Sequence, residues 1–180
     1  TCSGEAAGPP MTVARRGKQG ATVLRQSFMA AYGAEGLNLT GHSRGAMTIG
    51  NAMKSLAKDS GSSGILTNTR LKFVGPAYNA QEAANLLGWL SNGTSTVVTL
   101  QNHADDFVGN IVGGNPATYD QRPGDSNRVK EWFRIFGDAP TVHSCYGTMA
   151  VSQKGCEKNY GAPVKNEVQA QQSRQQGRSK

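Results

Sequence analysis

The sequence predicts an α/β fold: a three-layer α/β/α domain around a small, mainly parallel sheet. Three observations point there. Apolar or β-branched stretches alternate with helical patterns in the order strand, helix, strand, helix, strand, loop, helix, which is how parallel strands joined by crossover helices read. Glycine supplies 23 of 180 residues and falls at the ends of periodic segments without forming a repeat, as in a turn-rich globular chain. The stretch Leu37-Asn38-Leu39-Thr40-Gly41-His42-Ser43-Arg44-Gly45 passes from a short apolar strand through Gly-x-Ser-x-Gly into a helical pattern.

Taken in order, residues 1–19 are rich in Gly, Pro and small side chains and are expected to be a weakly ordered start, with Met11-Thr12-Val13-Ala14 as the one hint of a strand. Residues 21–32 carry Val23, Leu24, Phe28, Ala31 and Tyr32 at helical spacing, and Gly33 is expected to stop that helix. The helix after Ser43 places Ala46, Ile49, Met53, Leu56 and Ala57 on one face and is expected to run to about Asp59, where Asp59-Ser60-Gly61 ends it. A second strand is predicted over 69–75, ending at Gly75-Pro76. A helix follows over 80–90, carrying Ala84, Leu87, Trp89 and Leu90, with Ser91-Asn92-Gly93 as its stop. Residues 94–100, rich in Thr and Val, read as the third strand.

Beyond that strand, Gln101-Asn102-His103-Ala104-Asp105-Asp106-Phe107-Val108-Gly109 is polar and acidic, and residues 109–124 read as a long Gly- and Pro-rich loop. Asp125-Ser126 is expected to cap a helix whose Val129, Trp132, Phe133 and Phe136 line one face, ended by Gly137-Asp138-Ala139-Pro140. The loop Thr141-Val142-His143-Ser144-Cys145-Tyr146-Gly147 follows. Residues 1–162 thus read as one domain, and 163–180 as a polar, basic tail forming a frayed helix or disorder.

The net charge is +7, with 19 Lys plus Arg against 12 Asp plus Glu. That balance favours acidic partners such as anionic lipid headgroups, nucleic acid or an acidic protein, without choosing among them. No apolar run approaches the ~18 residues a spanning helix needs, and no signal peptide is visible. The chain opens at Thr1, as a mature product or a piece of something longer would. Among three cysteines, Cys145 and Cys156 bracket a short loop that can close as a disulfide in an oxidising compartment, leaving Cys2 over. No Cys-x-x-Cys or His-rich spacing exists, so the reading calls for no metal and no cofactor.

The chemistry is expected at Ser43. In a strand-turn-helix elbow a serine takes a strained backbone angle, and small neighbours, here Gly41 and Gly45, let strand and helix approach. The hydroxyl then stands at the amino end of the helix, where the Arg44 N–H is the first oxyanion donor to name. The competing reading is a glycine-rich turn whose serine merely caps the helix. A serine hydroxyl needs a base, and the base an orienting carboxylate. His42 lies inside the elbow and should diverge from Ser43; His103 reads as a polar loop residue; His143, following both serine and acid in the chain, is the preferred base. Asp106 is preferred to the adjacent Asp105 because Asp106-Phe107-Val108 supplies apolar anchors around an inward carboxylate; the alternative is two solvated loop acids.

These segments together resemble the serine lipases and esterases of the α/β-hydrolase superfamily. Within it, residues 37–52, Asp106-Phe107-Val108-Gly109, Gly113-Gly114-Asn115-Pro116 and Val142-His143-Ser144-Cys145-Tyr146 are similar to the lipase-type effector domains at the carboxyl ends of large bacterial filamentous-haemagglutinin adhesins, some of which act as contact-dependent growth-inhibition toxins. The resemblance covers roughly residues 20–150. It implies a lipase or phospholipase, secreted or displayed as part of a larger protein, delivered into a neighbouring bacterium to cleave acyl esters of membrane lipids in its envelope or cytoplasm. A cognate immunity protein in the producer is implied, and nucleic acid is not. By the same resemblance Ser43 is the nucleophile, His143 the base and then acid, and Asp106 its orienting partner. The chain departs from the family pattern at its front, where only residues 11–14 are available for the strand whose loop donates the second oxyanion N–H. Rival functions are an esterase or thioesterase on soluble acyl esters, a basic effector directed at nucleic acid, and an inactive hydrolase fold used for binding.

Overall fold

The computed structural model describes residues 26–119, 128–134, 142–146 and 166–171. The expected strand at 11–14, the front of the first helix, the cap at Asp125-Ser126, Phe136 and the stop at 137–140 lie outside the described residues. Four strands form one sheet in the order β1 (Asn38–His42), β2 (Arg70–Val74), β3 (Val97–Gln101), β4 (Glu167–Gln169). The first three run parallel and β4 runs antiparallel along β3. Helix α1 occupies residues 26–32, α2 (Arg44–Leu56) connects β1 to β2, and α3 (Ala80–Leu90) connects β2 to β3. A short helix, α4 (Arg128–Arg134), follows the acidic segment.

Strand pleating explains the core. Leu39, Leu71 and Val98 stand abreast across the sheet, as do Gly41, Phe73 and Leu100, so alternate residues of three neighbouring strands make one apolar face. That face is buried with Ala46, Ile49, Met53 and Leu56 of α2 and Ala80, Ala83, Ala84, Leu87 and Leu90 of α3, the three- and four-residue spacings of two amphipathic helices. Thr40 and Lys72, on the intervening positions, are exposed. Asn79 caps α3 by accepting the Glu82 N–H at 2.9 Å. At the other end of α3 the Gly93 N–H returns to the Gly88 carbonyl at 2.8 Å, which closes the helix as a left-handed Gly93 permits.

Trp89 of α3 is 47% exposed, because it projects away from the face carrying Ala83, Ala84, Leu87 and Leu90. Several expectations need correction. In α1 the buried residue is Met29, while Phe28 and Tyr32 pack on each other outside. Gly33 does not stop α1 by a left-handed turn; it begins a 3-10 turn, Gly33–Glu35, and Gly36 takes the positive φ of 88°. Helix α2 ends at Leu56, short of Asp59. On α4, Val129 and Phe133 are exposed, and Trp132 reaches inward, edge-on to Phe107. The loop expected from 109 begins as a wide helical turn, Val108–Val112, in which the Gly113 N–H reaches the Val108 carbonyl. In the segment expected to fray, Glu167–Gln169 instead adds β4 to the sheet edge, with Val168 opposite Val98.

Candidate active site

Three strands deliver their carboxyl ends to one edge of the sheet, and the side chains of interest gather there. Ser43 follows β1 directly and takes φ 53°, ψ −123°, a conformation that costs a non-glycine residue of order 1–3 kcal/mol. Its main chain is fixed on both sides: the N–H donates to the Val74 carbonyl at 3.2 Å, and the carbonyl accepts from Ala46 and Ala77 at 3.2 and 3.1 Å. The Ser43 side chain makes no capping bond to α2, which removes the competing reading of this serine as a helix cap. Gly41 is sterically required, since a Cβ there would lie 2.7 Å from the Ala46 Cα. Gly45 is not: a Cβ would meet nothing within 4 Å, contrary to the paired role expected for the two glycines. Arg44 opens α2, so its N–H belongs to the first turn, which has no carbonyl four residues back to bond.

Asp106 and His143 are brought together. The His143 Nδ1 lies 3.0 and 2.9 Å from the two carboxylate oxygens of Asp106. An ionised carboxylate only accepts, so Nδ1 carries the proton and Nε2 the lone pair. Asp106 is fully buried and its oxygens are well supplied: Oδ1 accepts from the Val108 and Gly109 N–H groups at 2.8 and 3.1 Å, and Oδ2 from the Tyr146 hydroxyl at 2.6 Å. Burial pushes its pKa up, but the His143 bond and charge, the Tyr146 hydroxyl and the Gly109 N–H outweigh it and hold the carboxyl below its ordinary range. His143 itself sits on a 3-10 turn, Val142–Ser144.

The pair lies beside the elbow. The Ser43 N–H is bonded to the carbonyl of Val74, the residue directly before Gly75, which sets the elbow beside Gly75. A Cβ on Gly75 would fall 2.6 Å from Asp106 Oδ2 and 3.0 Å from His143 Nδ1. Gly75, at φ 46°, is therefore the floor on which the pair rests. His42 stacks on the His143 ring with centroids 4.8 Å apart. Its Nε2 lies 2.9 Å from the His143 carbonyl, so that nitrogen is the donor there and is already engaged.

The remaining sequence candidates fall differently. Asp105 is buried, as is Asp106, so neither is a solvated loop acid; Asp106 is the one that meets the histidine. His103 lies in a loop as expected, but buried: its ring sits between Tyr119 and Tyr146, at 4.1 and 4.3 Å, and burial lowers its pKa to about 4. Its main-chain N–H donates to the Tyr146 hydroxyl at 2.9 Å, which passes a hydrogen bond on to Asp106. Cys145 is disulfide-bonded, with its partner outside the described residues. Among the described residues no cluster of three or more His, Cys, Asp or Glu could hold a metal ion.

Three asparagines that the sequence did not single out as site residues build the scaffold. Asn115 is buried; its amide donates to the Pro76, Tyr78 and Gly109 carbonyls and its oxygen accepts the Ala80 N–H. Asn110 bonds the carbonyls of His103, Ala104 and Asp106, and Asn102 those of Asn115 and Pro116. Together they tie the acid turn to the segment after β2. An open groove of ≈ 490 Å³ lies elsewhere, lined by the amino ends of β2 and β3 with Thr94–Val97 and Glu167. Compared with family models, with curated proteins and with solved structures, the chain matches none of them.

Proposed function

We propose that this domain is a serine-dependent carboxylic ester hydrolase of lipase or phospholipase type, with a three-layer α/β-hydrolase-like architecture. The observation that carries the reading is the strained Ser43, its side chain not spent on capping α2 and its N–H bonded to Val74, the residue before the glycine that floors the His143–Asp106 pair. In this reaction Ser43 Oγ attacks the acyl carbonyl carbon while His143 Nε2 takes the hydroxyl proton. Negative charge gathers on the former carbonyl oxygen and is met by the Arg44 N–H at the head of α2. When the tetrahedral species collapses, the imidazolium returns its proton to the leaving alcohol. Water, deprotonated by the same nitrogen, then releases the acid and restores Ser43.

A membrane lipid is the preferred substrate. Ile111 and Val112, exposed beside the acid turn, and Val129 and Phe133 on the helix that Trp132 lays against Phe107, give that side of the domain an apolar rim. The chain's net charge of +7 suits an anionic headgroup layer. Delivery into a neighbouring bacterium as part of a larger toxin, and neutralisation by an immunity protein, belong to the proposal through the sequence resemblance alone.

The test compares anionic phospholipid vesicles with a short soluble p-nitrophenyl ester. Fatty acid release from vesicles by the wild type and none by Ser43→Ala is expected. Cleavage of the soluble ester alone would place the enzyme among esterases, and salt-dependent nucleic-acid binding without any ester cleavage would overturn the proposal.

A further inference from the structure

We infer that His42 is a positioning residue, which fixes the base His143 to the nucleophile elbow; the inference rests on the hydrolytic reading of Ser43, His143 and Asp106. His143 arrives on a short turn, Val142–Ser144, a hundred residues downstream of the elbow in the chain. Asp106 grips only the Nδ1 edge of its ring, at 2.9 and 3.0 Å. A single gripped edge leaves the ring free to swing about that edge, and the swing moves Nε2, the atom that must reach the serine. His42 supplies two further restraints. Its ring lies against the face of the His143 ring, 4.8 Å between centroids and 26° between planes. Its Nε2–H donates to the His143 main-chain carbonyl at 2.9 Å.

The position of His42 in the chain gives these contacts their consequence. It is the last residue of β1, held in the sheet opposite Val74, and is bonded directly to Ser43. Its grip on His143 therefore ties the base turn to the residue adjoining the nucleophile, so a shift of one relative to the other has to break the 2.9 Å bond. A misplacement of about 1 Å between reacting groups can cost on the order of 10²-fold in rate. With its Nε2 proton committed to a carbonyl, His42 acts on the reaction through His143.

The test uses His42→Leu, which fills similar space without a donor, and His42→Gln, whose amide nitrogen reaches about as far as Nε2 and can donate to the same carbonyl. Two readouts are taken on the whole chain: the rate at which a fluorophosphonate labels Ser43, and the downfield Nδ1–H proton resonance of His143. Leu is expected to slow labelling on the order of 10²-fold and to broaden or erase the Nδ1–H signal while the thermal midpoint stays near that of the wild type. Gln is expected to recover most of both. Labelling by the Leu variant within about twofold of wild type with its Nδ1–H signal intact, or a Gln variant as impaired as Leu in both readouts, would overturn the inference. Were the wild type never labelled while Leu still lost the signal, the positioning would stand and the hydrolytic reading would fall.

Discussion

Asp106 is the residue most fully held by its surroundings. Four donors converge on one buried carboxylate: His143 Nδ1, the Tyr146 hydroxyl and the N–H groups of Val108 and Gly109. A group satisfied in this way stays ionised and cannot turn, so it holds the imidazole in the Nδ1–H form. Asp106→Asn is expected to keep the fold and lower kcat on the order of 10⁴-fold, because an amide no longer enforces that tautomer; steady-state ester hydrolysis measures it. Tyr146→Phe leaves Oδ2 of a fully buried carboxylate without its 2.6 Å donor. The expected cost is about 1–3 kcal/mol of stability, read by urea denaturation. Of these residues the sequence singled out His143 by its place after serine and acid, and Asp106 by its apolar neighbours. Tyr146 stood in the segment carrying the resemblance, but its role was not legible, because a hydroxyl that serves a carboxylate 40 positions away leaves no periodic trace.

At the scale of elements, the crossovers from β1 through α2 and from β2 through α3 place the elbow and the Gly75 floor side by side. Gly75→Ala combines a φ of 46° with a Cβ 2.6 Å from Asp106 Oδ2. It is expected to slow Ser43 labelling on the order of 10²-fold by displacing the pair and to cost about 1–3 kcal/mol of stability. Gly45→Ala is the opposite case, since the added methyl meets nothing and alanine favours a helix; stability should hold or rise by about 0.5–1 kcal/mol in the same denaturation series. Strands β1 to β3 and helices α2 and α3 were legible because buried faces impose their period on the sequence, as in Leu71, Phe73 and Ala46, Ile49, Met53. Strand β4 was not, because an edge strand of three residues with only Val168 turned to the core has no period to show. The asparagine scaffold was invisible for a related reason: Asn102, Asn110 and Asn115 bond to carbonyls, which every residue offers.

The whole molecule should carry the mark of its buried histidine. Burial beside Tyr119 and Tyr146 pushes the His103 pKa down from 6.5 to about 4 in the folded protein, against the opposing main-chain hydrogen bond with Cys145 and the charges of Asp106 and Asp105. Above pH 6.5 both states leave it neutral. Below that the unfolded chain takes up a proton that the folded one refuses, so stability falls by about 3 kcal/mol as pH drops from 6.5 through 4. Asp106, held low, adds its own loss only at still lower pH, below the 3.8 of the free carboxyl. His103→Phe keeps a ring between the tyrosines without the proton site, and its denaturation midpoints should be flatter across that window. The most direct test of the hydrolytic reading is mass-spectrometric mapping of a fluorophosphonate adduct on the intact chain. One adduct on Ser43 in the wild type, absent from Ser43→Ala and nearly absent from His143→Ala, is the predicted result. Labelling that persists unchanged in Ser43→Ala, or no adduct on the folded wild type, would contradict it.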